Sequence, residues 1–292
     1  MRYLNMNLST IGALFILLSS CQPKISPEIS DALTFHVSFD EGTTADFALG
    51  DPKMYTAKAS YVNSKRKLDG LQQGMNDPNH RITAGKGRFG NAFEFGKKSN
   101  TVIFFKSKDN IAYNPQHWSG SISFWLSVDP SKDLDGYTDP IQITDASFND
   151  ASIWVDFTDD DPPGFRLGVI GDKSAWTLDT LNSSFLEEFE KRLVSIKEPQ
   201  FSRSTWTHIV IAHEGLGTVN SWASLYLNGQ KIGTIRGIDD PFTWDLEQSN
   251  IFLGLGFTGL MDELSIFNKP LTEEQVLELY QLKEGIKSLI RQ

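Results

Sequence analysis

With 37 acidic residues, paired carboxylates are the first chemistry to look for in this chain. Glycosidic hydrolysis needs two of them, about 5–5.5 Å apart for retention or about 6.5–9.5 Å for inversion. Glu188-Phe189-Glu190 has the spacing of a strand face, but it follows a helix start signal at Ser184 to Glu187. Asp156 shares a strand face with Trp154 and Thr158, which supplies one acid and no second. Nucleophilic catalysis finds no better footing. There is no Gly-x-Ser-x-Gly elbow. His36, His208 and His213 fall on or at the ends of strands, and His80 and His117 fall in loops. His208 reads as a strand residue holding a structural hydrogen bond. No catalytic residue is assigned, and the chain reads as a non-enzyme.

Binding chemistry is better represented. Asp262 alternates with Leu264 and Ile266, so its carboxylate leans inward and needs donors or a metal to satisfy it. Calcium takes six to eight oxygens. The stretch from Ser131 places Asp133, Asp135, Gly136 and Asp139 at the third, fifth, sixth and ninth places of a calcium loop. It fails at both ends, with Ser131 and Gln142, so a solvated acidic turn is expected there. A sugar site would need an exposed aromatic beside polar groups that fix orientation. Of seven tryptophans, Trp154 with Asp156, and Trp176 near Asp172 and Lys173, form the candidate ligand-binding set.

The single cysteine, Cys21, excludes an internal disulfide and any multi-cysteine metal site. It closes Leu18-Ser19-Ser20-Cys21, after Arg2 and an apolar run from Leu8 to Leu18 that is short for a membrane span. This arrangement resembles the lipobox of bacterial lipoproteins, in which the signal is cut before a cysteine that carries lipid. The reading is a signal over residues 1–20, lipidation at Cys21 and a Pro- and Ser-containing tether over 21–31. The address is the bacterial cell envelope. Gln22 lacks the Asp of an inner-membrane retention signal, so the outer membrane is favoured. A net charge of −10 offers no basic footprint for nucleic acid, and contact with the membrane is expected through the lipid alone.

The elements that must position these residues are strands. Leu33 to Phe39 alternates strictly, as does Ser121 to Val128, with Ile122, Phe124, Leu126 and Val128 inward and Ser121, Ser123, Trp125 and Ser127 outward. Shorter strands are predicted at 92–95, 102–105, 153–157, 165–170 and 207–212. Leu225 to Ile235 reads as a hairpin about Asn228-Gly229, residues that accept the positive φ of a two-residue turn. Helix signals are few: the Ser184 box, and Thr272-Glu273-Glu274-Gln275 with Leu271 and Val276 placed for a hydrophobic staple. One domain is expected over 32–282, followed by a tail over 283–292.

In order along the chain lie Phe39-Asp40-Glu41-Gly42, then Gly87 to Phe95, then Ser121 to Trp125 and Trp206 to Val210. Leu225 to Gly229, Gly259 to Phe267 and Leu271 to Gln275 complete the series. Together they are similar to the LamG-like jelly-roll domains of the concanavalin A-like lectin/glucanase superfamily. The resemblance implies an all-β, two-sheet antiparallel jelly-roll sandwich, here with a short inserted helix and a C-terminal capping helix. It also implies carbohydrate or protein recognition, sometimes with bound calcium, for which Asp40 becomes the companion of Asp262. Trp125 and Trp206 fit family core or sheet-face positions. Glucanases of the superfamily carry Glu-x-Asp-x-(x)-Glu on one strand, and no Glu-x-Asp occurs in this chain. The stretch 129–199 is longer than the family's common pattern. The expectation is a lipid-anchored module whose partner is a glycan or, alternatively, an envelope protein. A polysaccharide-active hydrolase built from other carboxylates is the third option.

Overall fold

The computed structural model describes residues 26–62, 65–177 and 184–290. The lipobox and Cys21 lie outside them. Strands dominate: β1 (Leu33–Val37), β2 (Phe47–Ala48), β3 (Met54–Val62), β4 (Lys65–Gln73), β5 (His80–Thr83), β6 (Ala92–Phe95), β7 (Thr101–Lys106), β8 (Trp118–Ser127) and β9 (Thr138–Ser147). After these come β10 (Asp150–Phe157), β11 (Phe165–Ile170), β12 (Leu193–Ile196), β13 (Thr207–Leu216), β14 (Trp222–Leu227), β15 (Gln230–Arg236), β16 (Asn250–Leu255) and β17 (Gly259–Phe267). The first sheet runs β15-β14-β13-β8-β17-β1-β2, with β6 also on β17 and β5 on β6. The second runs β12-β11-β10-β9-β16-β7-β3-β4. Neighbours pair antiparallel, and the two sheets form a jelly-roll sandwich.

Alternation along the strands builds the core. Ile122, Phe124 and Leu126 of β8 meet Ile153, Val155 and Phe157 of β10 in one cluster between the sheets. Asn228 and Gly229 take φ of 51° and 80°, the left-handed pair that a two-residue hairpin turn requires.

Three sequence expectations change once the outer face of the first sheet is seen. Ser121, Ser123, Trp125 and Ser127 are buried rather than solvent-facing. The helix α5 (Glu273–Tyr280; here numbered after α1 at Pro27–Ala32, α2 at Pro130–Asp133, α3 at Lys173–Trp176 and α4 at Ser184–Glu190) packs on that face, in one cluster with Val210, Ala212 and Tyr226 and with Tyr280 against Trp125. Trp125 clusters with His208, 4.7 Å away, and Tyr280, 5.8 Å away, and those two rings lie 6.2 Å from each other. Helix α5 is fixed by a capping box, Thr272 Oγ1 accepting from the Gln275 N–H and Gln275 Oε1 from the Thr272 N–H. The part of the tether from Pro27 onward is α1, which buries Ile29 in the same cluster as Val276 and Leu279. The tail is also docked, as a 3₁₀ turn over Ile286–Leu289 that buries Ile286. Amphipathic segments outside the expected domain limits thus complete its packing.

The sequence also missed β3 and β4, and it read as an acidic turn a segment that includes the start of β9, where Asp139 sits on a strand.

If α5 is the lid of the first sheet, truncating its buried anchor is costly. Leu279→Ala is expected to lower the unfolding free energy by about 2–5 kcal/mol, read as a shift of the urea midpoint. No shift would show that the outer face does not need its helix.

Candidate binding groove

On the outer face of the second sheet lies a groove of about 1060 Å³. Its floor follows from strand alternation. In β10, Ile153, Val155 and Phe157 point into the core, so Trp154 and Asp156 point outward. Gln142 of β9 pairs with Trp154, and Arg166 of β11 pairs with Asp156. One wall is the β3–β4 hairpin, bearing Tyr61 and Arg66, and the other is α4, bearing Phe185, Leu186 and Phe189.

Asp156 is clamped by Arg166: Nε donates to Oδ1 at 2.9 Å and Nη2 donates to Oδ2. Such a two-pronged bond is strong and directional. Burial raises the Asp156 carboxyl, while the Arg166 hydrogen bonds pull it back down. Asp139 is different. Burial first, and then repulsion from Asp156, push it up to about 8, so it keeps its proton at neutral pH. A relay fixes its orientation: Arg66 Nη2 donates to Gln142 Oε1 at 2.7 Å, and Gln142 Nε2 donates to Asp139 Oδ2 at 2.6 Å. Arg66 rests 4.2 Å over the Phe252 ring and also donates to the Tyr61 hydroxyl, at 3.1 Å. Arg166 in turn lies 5.2 Å from the Tyr137 ring.

The structure brings Trp154 and Asp156 together in the groove, but in roles the sequence did not suggest. Trp154 is 1% exposed. Its indole lies flat over Gly168, where a Cβ would run into the ring, and stacks at 6.2 Å on Phe189, while its Nε1 donates to the Phe148 carbonyl at 2.7 Å. It is a floor support, not a platform. Trp176 sits behind the α4 wall, buried against Phe185 and Phe189. The exposed aromatics of the groove are Tyr61, Tyr137 and Phe148, which are 61%, 59% and 49% exposed. Sequence reasoning passed over all three, and over Arg66. Their only signal was an aromatic beside a turn, as in Gly136-Tyr137 and Ser147-Phe148-Asn149.

The other singled-out residues do not join the groove. Asp262 is fully buried and accepts the Phe89 N–H at 3.0 Å and the Glu263 N–H at 2.9 Å. Asp40 Oδ1 accepts the Asn91 N–H at 2.7 Å, so both carboxylates hold the same 87–91 loop. The atoms facing them are amide donors rather than the oxygens calcium requires, and this pair does not fit a calcium ion. No set of three or more His, Cys, Asp or Glu side chains has metal-holding geometry among the described residues. Burial lowers His208 and His213 to about 3, and His208 Nε2 pairs with Ser123 Oγ at 2.8 Å, a structural contact.

Residues 99–277 match the Laminin_G_3 family model, described as the concanavalin A-like lectin/glucanases superfamily. The chain belongs to that superfamily. No curated protein sequence matches the chain. Among solved structures, it is similar to domain 4 of AbnA, a GH43 extracellular arabinanase from Geobacillus stearothermophilus, in complex with arabinotriose. There the identity is 17% and the TM-score 0.51, over 86% of this chain and 98% of that one. It is also similar to the binding domain of botulinum neurotoxin serotype D, at 14% identity and a TM-score of 0.55, over 88% of this chain and 52% of that one. The chain thus spans about half of the toxin domain. At these identities the likeness establishes the fold.

Burial, and then the neighbouring Glu263, raise Asp262 from 3.8 to about 9. Between those values the folded chain keeps a proton that the unfolded chain has released, so stability falls as pH rises through that window. Asp262→Asn is therefore expected to flatten the decline of the thermal midpoint between pH 5 and 9, and excess EDTA is expected to leave the midpoint unchanged. A parent-like slope in the variant would place the titration elsewhere, and an EDTA-induced drop would restore a structural metal.

Proposed function

We propose that this protein is a lipid-anchored, non-catalytic envelope module whose groove binds a glycan. The observation that carries the reading is the groove itself: exposed Tyr61, Tyr137 and Phe148 rim a floor of fixed polar groups. Aromatic faces with convergent hydrogen-bonding groups suit a sugar ring, which offers C–H patches between hydroxyls. Superfamily membership and the arabinotriose complex of the arabinanase domain support it. Of the groove carboxylates, Asp156 is held in a two-pronged pair with Arg166, which counts against its acting as a nucleophile. Binding of the purified protein to a glycan array tests the reading. Tyr61→Ala and Tyr137→Ala are each expected to weaken the retained glycan about five- to tenfold, the usual range for an aromatic anchor.

An envelope protein is the second reading, favoured by the apolar α4 wall, where Leu186 is 66% exposed. Specific capture of an envelope protein, with no signal on the array, would select it.

The lipid is assigned to Cys21 on the residues before it. Two or more acyl chains hold a folded domain stably at a bilayer. Cys21→Ser is expected to move the chain from the membrane pellet to the soluble fraction after cell lysis. Membrane retention of that variant would require another anchor.

A further inference from the structure

We infer that a short leash holds the α1–α5 face of the domain toward the bilayer and turns the groove away from it. The groove then meets a glycan from outside the membrane that carries the protein. The orientation rests on the lipid proposed at Cys21 and goes beyond it.

Ser26 is where the chain joins the domain. Its N–H donates to Glu278 Oε2 of α5 at 3.1 Å. From there α1 lies against α5: Ile29 is buried with Val276 and Leu279, and Gln275 Nε2 donates to Glu28 Oε2 at 3.4 Å. Beneath both helices is the outer face of the first sheet, through Val210, Ala212 and Tyr226. Five residue steps separate Cys21 from Ser26. A chain gains at most about 3.6 Å per step, so this leash spans no more than about 18 Å however it runs.

The groove lies on the opposite side of the sandwich. Its walls, α4 and the β3–β4 hairpin, stand on the outer face of the second sheet. Helix, sheet, sheet and wall follow one another at about 10 Å each, so about 30 Å separates the α1 layer from the groove walls. Setting the groove against the bilayer would need a leash of that length, and the covalent one falls well short. Headgroup sugars at the surface of the same bilayer are therefore out of the groove's reach, and a glycan arriving from the other side is within it. Attraction to lipid plays no part in this orientation. Along α5, Glu273 and Glu274 are exposed and Glu278 is half-buried, and an anionic surface repels such a stripe. The face stands off across water, at the end of its leash.

The test uses streptavidin, a folded protein too wide for such a gap, on the full lipidated chain bound to preformed phosphatidylcholine liposomes. Cys21 is the only cysteine, so with lipid on it a single introduced cysteine takes biotin-maleimide alone. Glu274→Cys and Gln281→Cys flank Glu278 on α5. Glu187→Cys on α4 and Lys67→Cys on β4 replace side chains that are 74% and 61% exposed on the groove side. Streptavidin capture is expected to be lost at the two α5 positions on liposomes and restored by detergent. Both groove-side positions are expected to be captured equally with and without detergent. Inserting about twenty Gly and Ser residues between Gln22 and Pro23, a root-mean-square reach of about 25 Å, is expected to restore capture at the α5 positions on intact liposomes. Equal capture on both sides, or loss on the groove side, with the chain still floating on liposomes, would overturn the inference and leave the lipid intact. Occlusion of the α5 positions that survives the spacer would overturn it too, because lipid contact rather than leash length would then set the orientation. A chain that does not float with liposomes would remove the lipid and the inference together.

Discussion

In a sandwich, each sheet has two faces and only the inner one is covered by the other sheet. What lies on the two outer faces decides the rest of this molecule. On the first sheet the outer face sets Trp125, Val210, Ala212 and Tyr226 among buried serines, and it is sealed by α5, α1 and the terminal 3₁₀ turn. Burying such side chains removes apolar surface at roughly 25 cal/mol per Å². That is why segments from both ends of the described chain converge there. On the second sheet the middle of the outer face carries Gln142, Asp156 and Arg166, which an apolar helix could not cover without leaving charges unpaired. One face is closed by packing and the other is kept open by its polar groups.

Keeping charged groups on a largely buried floor constrains their neighbours. Arg166 and Asp156 have side chains only 18% and 6% exposed, and a pair so placed survives when each partner satisfies the other geometrically. The adjacent β9 and β10 bring a second carboxylate, Asp139, toward the first, and two anions there would repel. The proton on Asp139 resolves this, together with the Gln142 relay from Arg66. Arg66 comes from β4, at the far edge of the sheet, so the relay ties the edge hairpin to the sheet's centre. The β3–β4 hairpin is otherwise a long, solvent-exposed edge, and such edges need an anchor or charge to avoid stray pairing.

What could be read from the sequence was whatever depends on local rules. The Asn228-Gly229 turn, the Thr272 capping box and the alternation of β8 and β10 are local, and the structure contains them. Alternation even put Trp154 and Asp156 on the correct face. It could not say what lies above that face, because Phe189 comes 35 positions after Trp154 in sequence. The same limit applied to Trp125, whose cover is Tyr280. The β4 strand was illegible for another reason. Lys65, Arg66, Lys67 and Asp69 give it no apolar period, since an edge strand lying over a wet groove has little to bury. Arg66, which reaches across the groove to Gln142, therefore sat in the segment with the weakest strand signal.

That separation bears on where specificity resides. The floor is built from central strands and is held by pairs that cannot change singly: Arg166 with Asp156, and Trp154 with Gly168 beneath it. The walls are an edge hairpin and α4, which belongs to the long stretch between β11 and β12. Substitutions on the exposed parts of such walls disturb the fold little, whereas changes in the floor must be compensated. The sandwich thus supplies a stable, pre-organised polar base. The side chains that line the groove from its walls, Tyr61 and Arg66 on one and Phe185 and Leu186 on the other, stand on elements free to vary without it.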